Sequence, residues 1–263
     1  MKHAFFTACL NAGIAVARPS DFKAVRSFVA RLHPLDTEHP LIRMGTNGDG
    51  GYLVPDDLEG VAACFSPGVA DRATFEESVI QRGIPCFLAD ASVDHSPLAG
   101  EMVHFAKKFL GVINNDTTIT LDDWVNGGKP GNDDLILQMD IEGAEWPVLL
   151  NVSHDTLRRF RIIIIELHSL ERLMDMHAFF IIKSAFDRLL DDFYVVHSHP
   201  NNNGRAVRRG SFVIPCTLEM TFLRKDRAKS TRFAQRFPHP LDVINDPDLP
   251  ELTLPPQWFG GLS

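Results

Sequence analysis

The sequence predicts an α/β protein built on a mostly parallel, doubly wound sheet, and three observations carry that prediction. Two continuous apolar runs, residues 135–139 and 161–165, have the pattern of strands buried on both faces. Each run ends in polar chemistry, with Asp140, Glu142 and Glu145 after the first and Glu166 and His168 after the second. Strand-like and helix-like segments alternate along most of the chain. Ligands of such sheets sit beyond the C-terminal strand ends, so these polar residues are expected to face one pocket.

The elements follow in order. Residues 1–40 read as helical, with Phe22, Val25, Phe28, Val29 and Leu32 at helical spacing and Pro34 ending the pattern. Met1-Lys2-His3 and the apolar stretch to Ala17 imitate a signal peptide, but Asn11 and Gly13 interrupt it and a packed helix is preferred. The steps Asn47-Gly48 and Asp49-Gly50 suit a tight hairpin leading into a strand at 52–54. A strand at 61–65 breaks at Ser66-Pro67-Gly68, and the helix over 74–81 carries Glu76 and Glu77 where the macrodipole favours acids. A strand at 84–89 ends at Asp90. A helix near 97–110, an extended stretch at 117–121 and a helix start at Asp122-Asp123-Trp124 come next. Residues 147–160 form the crossover helix, 173–192 a longer helix and 193–196 a further strand, with 211–214 and 218–223 closing the sheet. Beyond Arg224 the chain is basic, then proline-rich, with too little periodicity to assign. The resulting division is a helical extension (1–40), a Rossmann-like domain (41–226) and a proline-rich tail (227–263).

Composition removes several function classes. A net charge of -8 leaves no global electrostatic case for nucleic acid or anionic membrane as a partner. No apolar run approaches the length of a membrane span. The cysteines Cys9, Cys64, Cys86 and Cys216 show neither CxxC pairing nor zinc-type spacing, so reduced thiols in a cytoplasmic protein are the default expectation.

The turn Ser66-Pro67-Gly68-Val69-Ala70-Asp71 is where a doubly wound sheet meets a cofactor, and its glycine permits close backbone approach. Alone it reads equally as a plain turn. Asp90 ends the next strand, where an acid binds ribose hydroxyls in dinucleotide-type folds. A cofactor with a ribose and no pyrophosphate explains the missing phosphate-cradling glycines. Asp140 and Glu142 are expected to point into the crevice, whereas Glu145, just ahead of Pro147, reads equally as a helix cap. His168 or His197 is a candidate general base. Asp140, Glu166 and His168 are the alternative ligand set for a divalent ion. His199 and Asn201-Asn202-Asn203 either line a polar pocket or make a turn.

These residues also carry a resemblance. Asp140-Ile141-Glu142-Gly143-Ala144-Glu145, with Thr118 to Asp123 upstream, resembles the FkbM-type family of S-adenosylmethionine-dependent methyltransferases. Arg43 with Asp49-Gly50-Gly51-Tyr52, Phe65-Ser66-Pro67-Gly68, Glu166-Leu167-His168 and Leu218 to Lys225 are similar to its branch containing methyltransferase-like-24 proteins. The resemblance implies a class I methyltransferase fold, a mostly parallel seven-stranded sheet with helices on both faces and an antiparallel last strand. It places Ser66, Gly68, Asp71, Asp49 and Tyr52 near the cofactor, Asp90 on its ribose, and Asp140 beside the methyl-transfer pocket. The departure is that Ser66-Pro67-Gly68-Val69-Ala70 stands where such enzymes commonly have GxGxG.

The implied activity is O-methylation of a sugar hydroxyl in a glycan or glycoconjugate, with S-adenosylmethionine as cofactor and a divalent cation as an open second one. Asp140, His168, His197 and Glu142 are the expected catalytic set. A homo-oligomer is compatible with the tail. Two other readings stay open: a non-catalytic glycan-binding or assembly module that keeps the fold, and a metal-dependent hydrolase using Asp140, Glu166 and His168.

Overall fold

Asp21 accepts from the Lys23 N–H at 2.9 Å and starts helix α1 (Phe22–Val29), whose Val25, Phe28 and Val29 are buried. The computed structural model describes residues 7–9, 11–13, 16–131 and 133–260. The reading of residues 1–17 thus lies partly outside the described residues, which omit 1–6, Leu10, Ile14 and Ala15. Strand β1 (Leu35–Thr37) falls within the stretch expected to be helical. The hairpin of β2 (Leu41–Met44) and β3 (Tyr52–Pro55) is antiparallel, with the Asn-Gly and Asp-Gly steps in its loop.

The main sheet begins with β4 (Ala63–Pro67), followed by α2 (Thr74–Ile80) and β5 (Cys86–Ala89). The region read as a helix near 97–110 is instead extended, as β6 (Val103–Ala106) and β7 (Phe109–Gly111). Strand β8 (Thr118–Thr120) pairs with β7 and runs into α3 (Leu121–Gly128), capped by Thr120 rather than by an aspartate. After β9 (Leu135–Met139) the crossover is two short helices, α4 (Glu145–Asn151) and α5 (His154–Leu157), because Ser153 re-caps the chain. Then come β10 (Phe160–Leu167), α6 (Met176–Asp192) and β11 (Phe193–Pro200). Strands β12 (Ala206–Arg209) and β13 (Phe212–Pro215) form a separate ribbon, so only β14 (Leu218–Arg224) joins the sheet from that region.

The seven strands lie in the order β11-β14-β10-β9-β4-β5-β6. Strands β4, β5, β6, β9 and β10 are parallel along their contacts, while β14 runs antiparallel to both its neighbours. Alternate residues of each strand feed two cores. Phe65, Leu137, Ile163 and Ile165 join one with α1, α3, α4 and α6. Cys64, Ile136, Ile162 and Ile164 join the other, under α2 and the β2–β3 hairpin.

The proline-rich tail packs on this framework. Strand β15 (Thr231–Phe233) pairs with β1, and Trp258 is buried with its Nε1 donating to the Val213 carbonyl at 3.0 Å. Among the described residues no helix is long and apolar enough to cross a membrane.

Candidate active site

Beyond the C-terminal ends of β4, β5 and β9 lies a cavity of about 630 Å³. The turn after β4 forms one wall through Gly68, Val69, Ala70 and Asp71. Asp90 follows β5, Asp140 and Glu142 follow β9, and Asp49 and Tyr52 close the cavity from the hairpin.

The turn explains its own sequence. Gly68 has φ +87°, and a Cβ there would sit 1.6 Å from the Asp140 carbonyl oxygen, so the β4 and β9 ends touch through it. Ala70 adopts φ +43° and thereby holds a left-handed conformation usually left to glycine. Its N–H donates to Asp90 Oδ2 at 2.8 Å, which ties the turn to the β5 end. The turn is thus held by Gly68 and by the Ala70–Asp90 hydrogen bond in a sequence without the GxGxG pattern. Gly68→Ala is expected to cost more than about 1–2 kcal/mol, the backbone penalty alone, and to displace Asp140. At about 2–4 °C per kcal/mol this appears as a clear drop in Tm by thermal denaturation.

Asp140 and His168 meet in an acidic environment. The His168 Nδ1 lies 3.0 Å from Glu145 Oε1, and that oxygen also accepts from the Ile141 and Gly143 N–H groups at 3.2 and 3.1 Å. Glu145, fully buried, is thus both a helix-start cap and the group that orients the imidazole. Nδ1 bears the hydrogen shared with the carboxylate, and His168 Nε2 faces Asp140 at 3.9 Å, Glu142 at 3.5 Å and Glu166 at 3.8 Å. Of the candidate ion set, His168 stands near both Asp140 and Glu166, but the ligand atoms that lie within 4.8 Å of one another are those of Asp140, Glu142 and His168, with Glu166 in a separate group beside Asp49 and Glu219. Trp146 Nε1 fixes the His168 backbone by donating to its carbonyl at 3.0 Å.

Burial pushes the Asp140 carboxyl up to about 7, with His168 opposing and Glu142, Glu145 and Asp49 adding to the rise. Burial disfavours a charged His168, yet the hydrogen bond and charge of Glu145, with Glu166 and Asp140, raise it to about 9. Asp140 Oδ1 is buried without a hydrogen-bond partner and faces His168 Nε2 at 3.9 Å.

Other expected residues lie elsewhere. His197 does not line the cavity: it falls inside β11 rather than after it, with Nε2 2.9 Å from Asp242 Oδ1. Burial would raise the Asp242 carboxyl, but His197 and His199 hold it well below the usual range. That histidine pair anchors the tail, and neither ring lines the cavity. Ser66 is wholly buried behind the wall, its Oγ sharing hydrogen bonds with Glu76 and with Gln138 at 2.6 Å. Burial pushes the Glu76 carboxyl upward, and its hydrogen bond with Ser66 opposes that rise. Asn202 is occupied by the tail, exchanging bonds with Asp246 at 2.8 and 2.9 Å, whereas Asn201 donates to Glu166 at 2.9 Å.

Gln138, Glu219 and Asn245 were not singled out from the sequence. Gln138 and Glu219 had a signal, being polar residues inside otherwise apolar strands. Asn245, in the aperiodic tail, had none.

A seven-stranded sheet with one antiparallel strand inserted next to the edge, and a cavity at the ends of its parallel strands, defines a Rossmann-like methyltransferase fold. The model of the methyltransferase FkbM domain family matches residues 46–190, more than half of the chain, which belongs to that family. The protein is a methyltransferase. Solved structures match as well; one, described as an RNA methyltransferase from Pyrococcus horikoshii, is 10% identical over 62% of this chain and 75% of its own, with a TM-score of 0.32. No curated protein matches.

Proposed function

We propose that this chain is an S-adenosylmethionine-dependent O-methyltransferase acting on a sugar hydroxyl of a glycan or glycoconjugate. The observation that carries the reading is one cavity joining a left-handed glycine turn, a strand-end aspartate and a carboxyl that titrates near neutrality. When bound, S-adenosylmethionine supplies an electrophilic methyl group on a positively charged sulfonium.

The residues fit that group. Asp90 spends Oδ1 on the Ser92 N–H and hydroxyl and one site of Oδ2 on the Ala70 N–H, which leaves Oδ2 acceptor capacity for a ribose hydroxyl. Phe109 and Leu110 give the cavity an apolar wall for a planar base. Asp49, Asp71, Asp140 and Glu142 line an acidic interior that favours a cation over its neutral product. Asp140 accepts the proton of the acceptor hydroxyl, its pKa matched to neutral pH. His168, held by Glu145, positions and partly offsets that carboxylate.

Isothermal titration tests the cofactor. The wild type is expected to bind S-adenosylmethionine, and Asp90→Asn to bind it about ten- to a hundredfold more weakly, the worth of a charge-assisted hydrogen bond. No heat at millimolar cofactor overturns the proposal. Mass spectrometry of cellular glycans with and without the gene tests the acceptor, and the absence of any methyl-sized difference removes the glycan assignment.

A further inference from the structure

On the hairpin side of the sheet, three carboxylates meet, none of which gives or takes a proton in the chemistry above. Glu166 of β10 and Glu219 of β14 are direct partners in the antiparallel ladder, so their side chains leave the same face side by side. Asp49 reaches them from the β2–β3 loop, and one oxygen from each of the three lies within 4.8 Å of the others. Both glutamates are buried. Among the described residues no lysine or arginine forms an ion pair with any of the three; the ion-pair partner present is His168, whose Nε2 lies 3.8 Å from Glu166 Oε1, an oxygen that also accepts from Asn201 at 2.9 Å. Arg43, on the same side, instead donates to the Thr46 and Gly48 carbonyls at 2.9 Å each. Like charges placed opposite one another in a sheet are destabilising, and buried carboxylates need a counter-charge or a proton.

A separate observation points to what completes the cluster. Asn245, only 6% exposed, comes from the tail and donates through Nδ2 to Glu219 Oε1 at 2.6 Å, with Asp49 Oδ1 at 3.5 Å. Its carboxamide oxygen is buried with no hydrogen-bond partner. That oxygen shares a short planar amide with the nitrogen that meets Glu219 and Asp49, and a half-turn of the carboxamide exchanges the two atoms. The tail is pinned there, since Asp242, three residues earlier, is held by His197. The Asn245 oxygen is thus an unspent donor on a side chain that already meets Glu219 and Asp49.

We propose that Asp49, Glu166, Glu219 and the carboxamide oxygen of Asn245 form a binding site for one hard divalent cation, Mg²⁺, Mn²⁺ or Ca²⁺. An all-oxygen donor set of carboxylates and an amide carbonyl suits these ions and disfavours zinc or copper. Asp49 also lines the cavity, so the ion has an entry path and an open side toward the acceptor. Coordination positions left on that side would take hydroxyl oxygens of a polyol. The site itself does not depend on the methyl-transfer reading; only its use by an acceptor does. The competing state is neutralisation by protons, since burial pushes Glu166 to about 9 and Glu219 to about 8.

The experiment is Mn²⁺ uptake by the full chain after EDTA treatment and dialysis, read as loss of the free-ion electron paramagnetic resonance signal. Competition by Mg²⁺ and Ca²⁺ and thermal melts with and without Mn²⁺ accompany it. The expectation is one Mn²⁺ per chain, a higher Tm with Mn²⁺, and at least tenfold weaker uptake in Glu219→Gln. Asp49→Asn repeats the test at an exposed loop position where folding is not at stake, with the same direction of change. Asn245→Asp is expected to bind Mn²⁺ at least as tightly as the wild type while melting lower without it. No stoichiometric uptake at millimolar Mn²⁺ overturns the proposal. Uptake unchanged in Glu219→Gln and Asp49→Asn but lost in His168→Gln also overturns it, by moving the ion to Asp140, Glu142 and His168. None of these readouts involves S-adenosylmethionine, so failure here and failure of the proposed activity are distinguishable.

Discussion

Asp140→Asn is expected to slow methyl transfer about 10²–10⁴-fold, the range a positioned general base supplies. The substitution keeps the shape of the side chain and removes only its ability to take a proton. The carboxylate is the competent form, and burial holds its pKa up to about 7. The wild-type rate is therefore expected to rise with pH and to level off above that value, with the limb absent in Asp140→Asn. Groups facing Asp140 set the midpoint: His168 pulls it down, while Glu142, Glu145 and Asp49 push it up. His168→Gln deletes the only cationic partner among these, so its midpoint should move to higher pH. Its activity should then be low at pH 7 and partly restored under alkaline conditions, an outcome a purely structural histidine would not produce. Single-turnover rates at saturating cofactor measure both. A wild-type profile flat between pH 6 and 8 would remove Asp140 from the role of base.

The parts of this site that were legible in the sequence are those built by buried parallel strands. Residues 135–139 and 161–165 are apolar apart from Gln138 and Arg161 because both faces of β9 and β10 are covered. Their ends therefore stand out, and Asp140, Glu142 and His168 are indeed adjacent. Gly68 and Asp90 were readable for the same reason, as the punctuation of β4 and β5. Strand β6 was misread because it lies at the sheet edge with His104 exposed and no residue fully covered, so its pattern lacks a strand signature. His197 was misplaced because β11 extends to Pro200 through polar residues. Their burial is supplied by the tail, and a segment that docks through single contacts such as Asp242 with His197 has no period to detect. The cluster of Asp49, Glu166, Glu219 and Asn245 was hidden likewise, since its members come from four distant stretches of chain.

Arg161→Met is expected to destabilise the fold by about 3–5 kcal/mol, the cost of breaking a buried ion pair by removing one partner. Arg161 sits at the N-terminal end of β10, within a run read as simply apolar, and is 5% exposed. Its guanidinium donates to the Asp57 and Glu59 carbonyls at 2.9 and 2.7 Å and to Asp134 Oδ2 at 2.9 Å. Arg227 and Arg224 complete the network on Asp57 and Asp134. Methionine fills much of the same volume, so the loss isolates the polar contacts. The two remaining arginines still neutralise both aspartates, which places the expected effect at the lower end of the range. At about 2–4 °C per kcal/mol, Tm should fall on the order of 10 °C in a thermal melt; a fall under about 3 °C would show the network to be dispensable. The contrast with the other end of the sheet is chemical. At the N-terminal strand ends Asp57 and Asp134 each pair with two guanidiniums, whereas at the C-terminal ends Asp140, Glu166 and Glu219 form no ion pair with one among the described residues and their pKa values rise. Stability and reactivity are thus assigned to opposite edges of one sheet. Arg161→Met should accordingly leave the pH midpoint of transfer near 7 in whatever fraction of the protein stays folded.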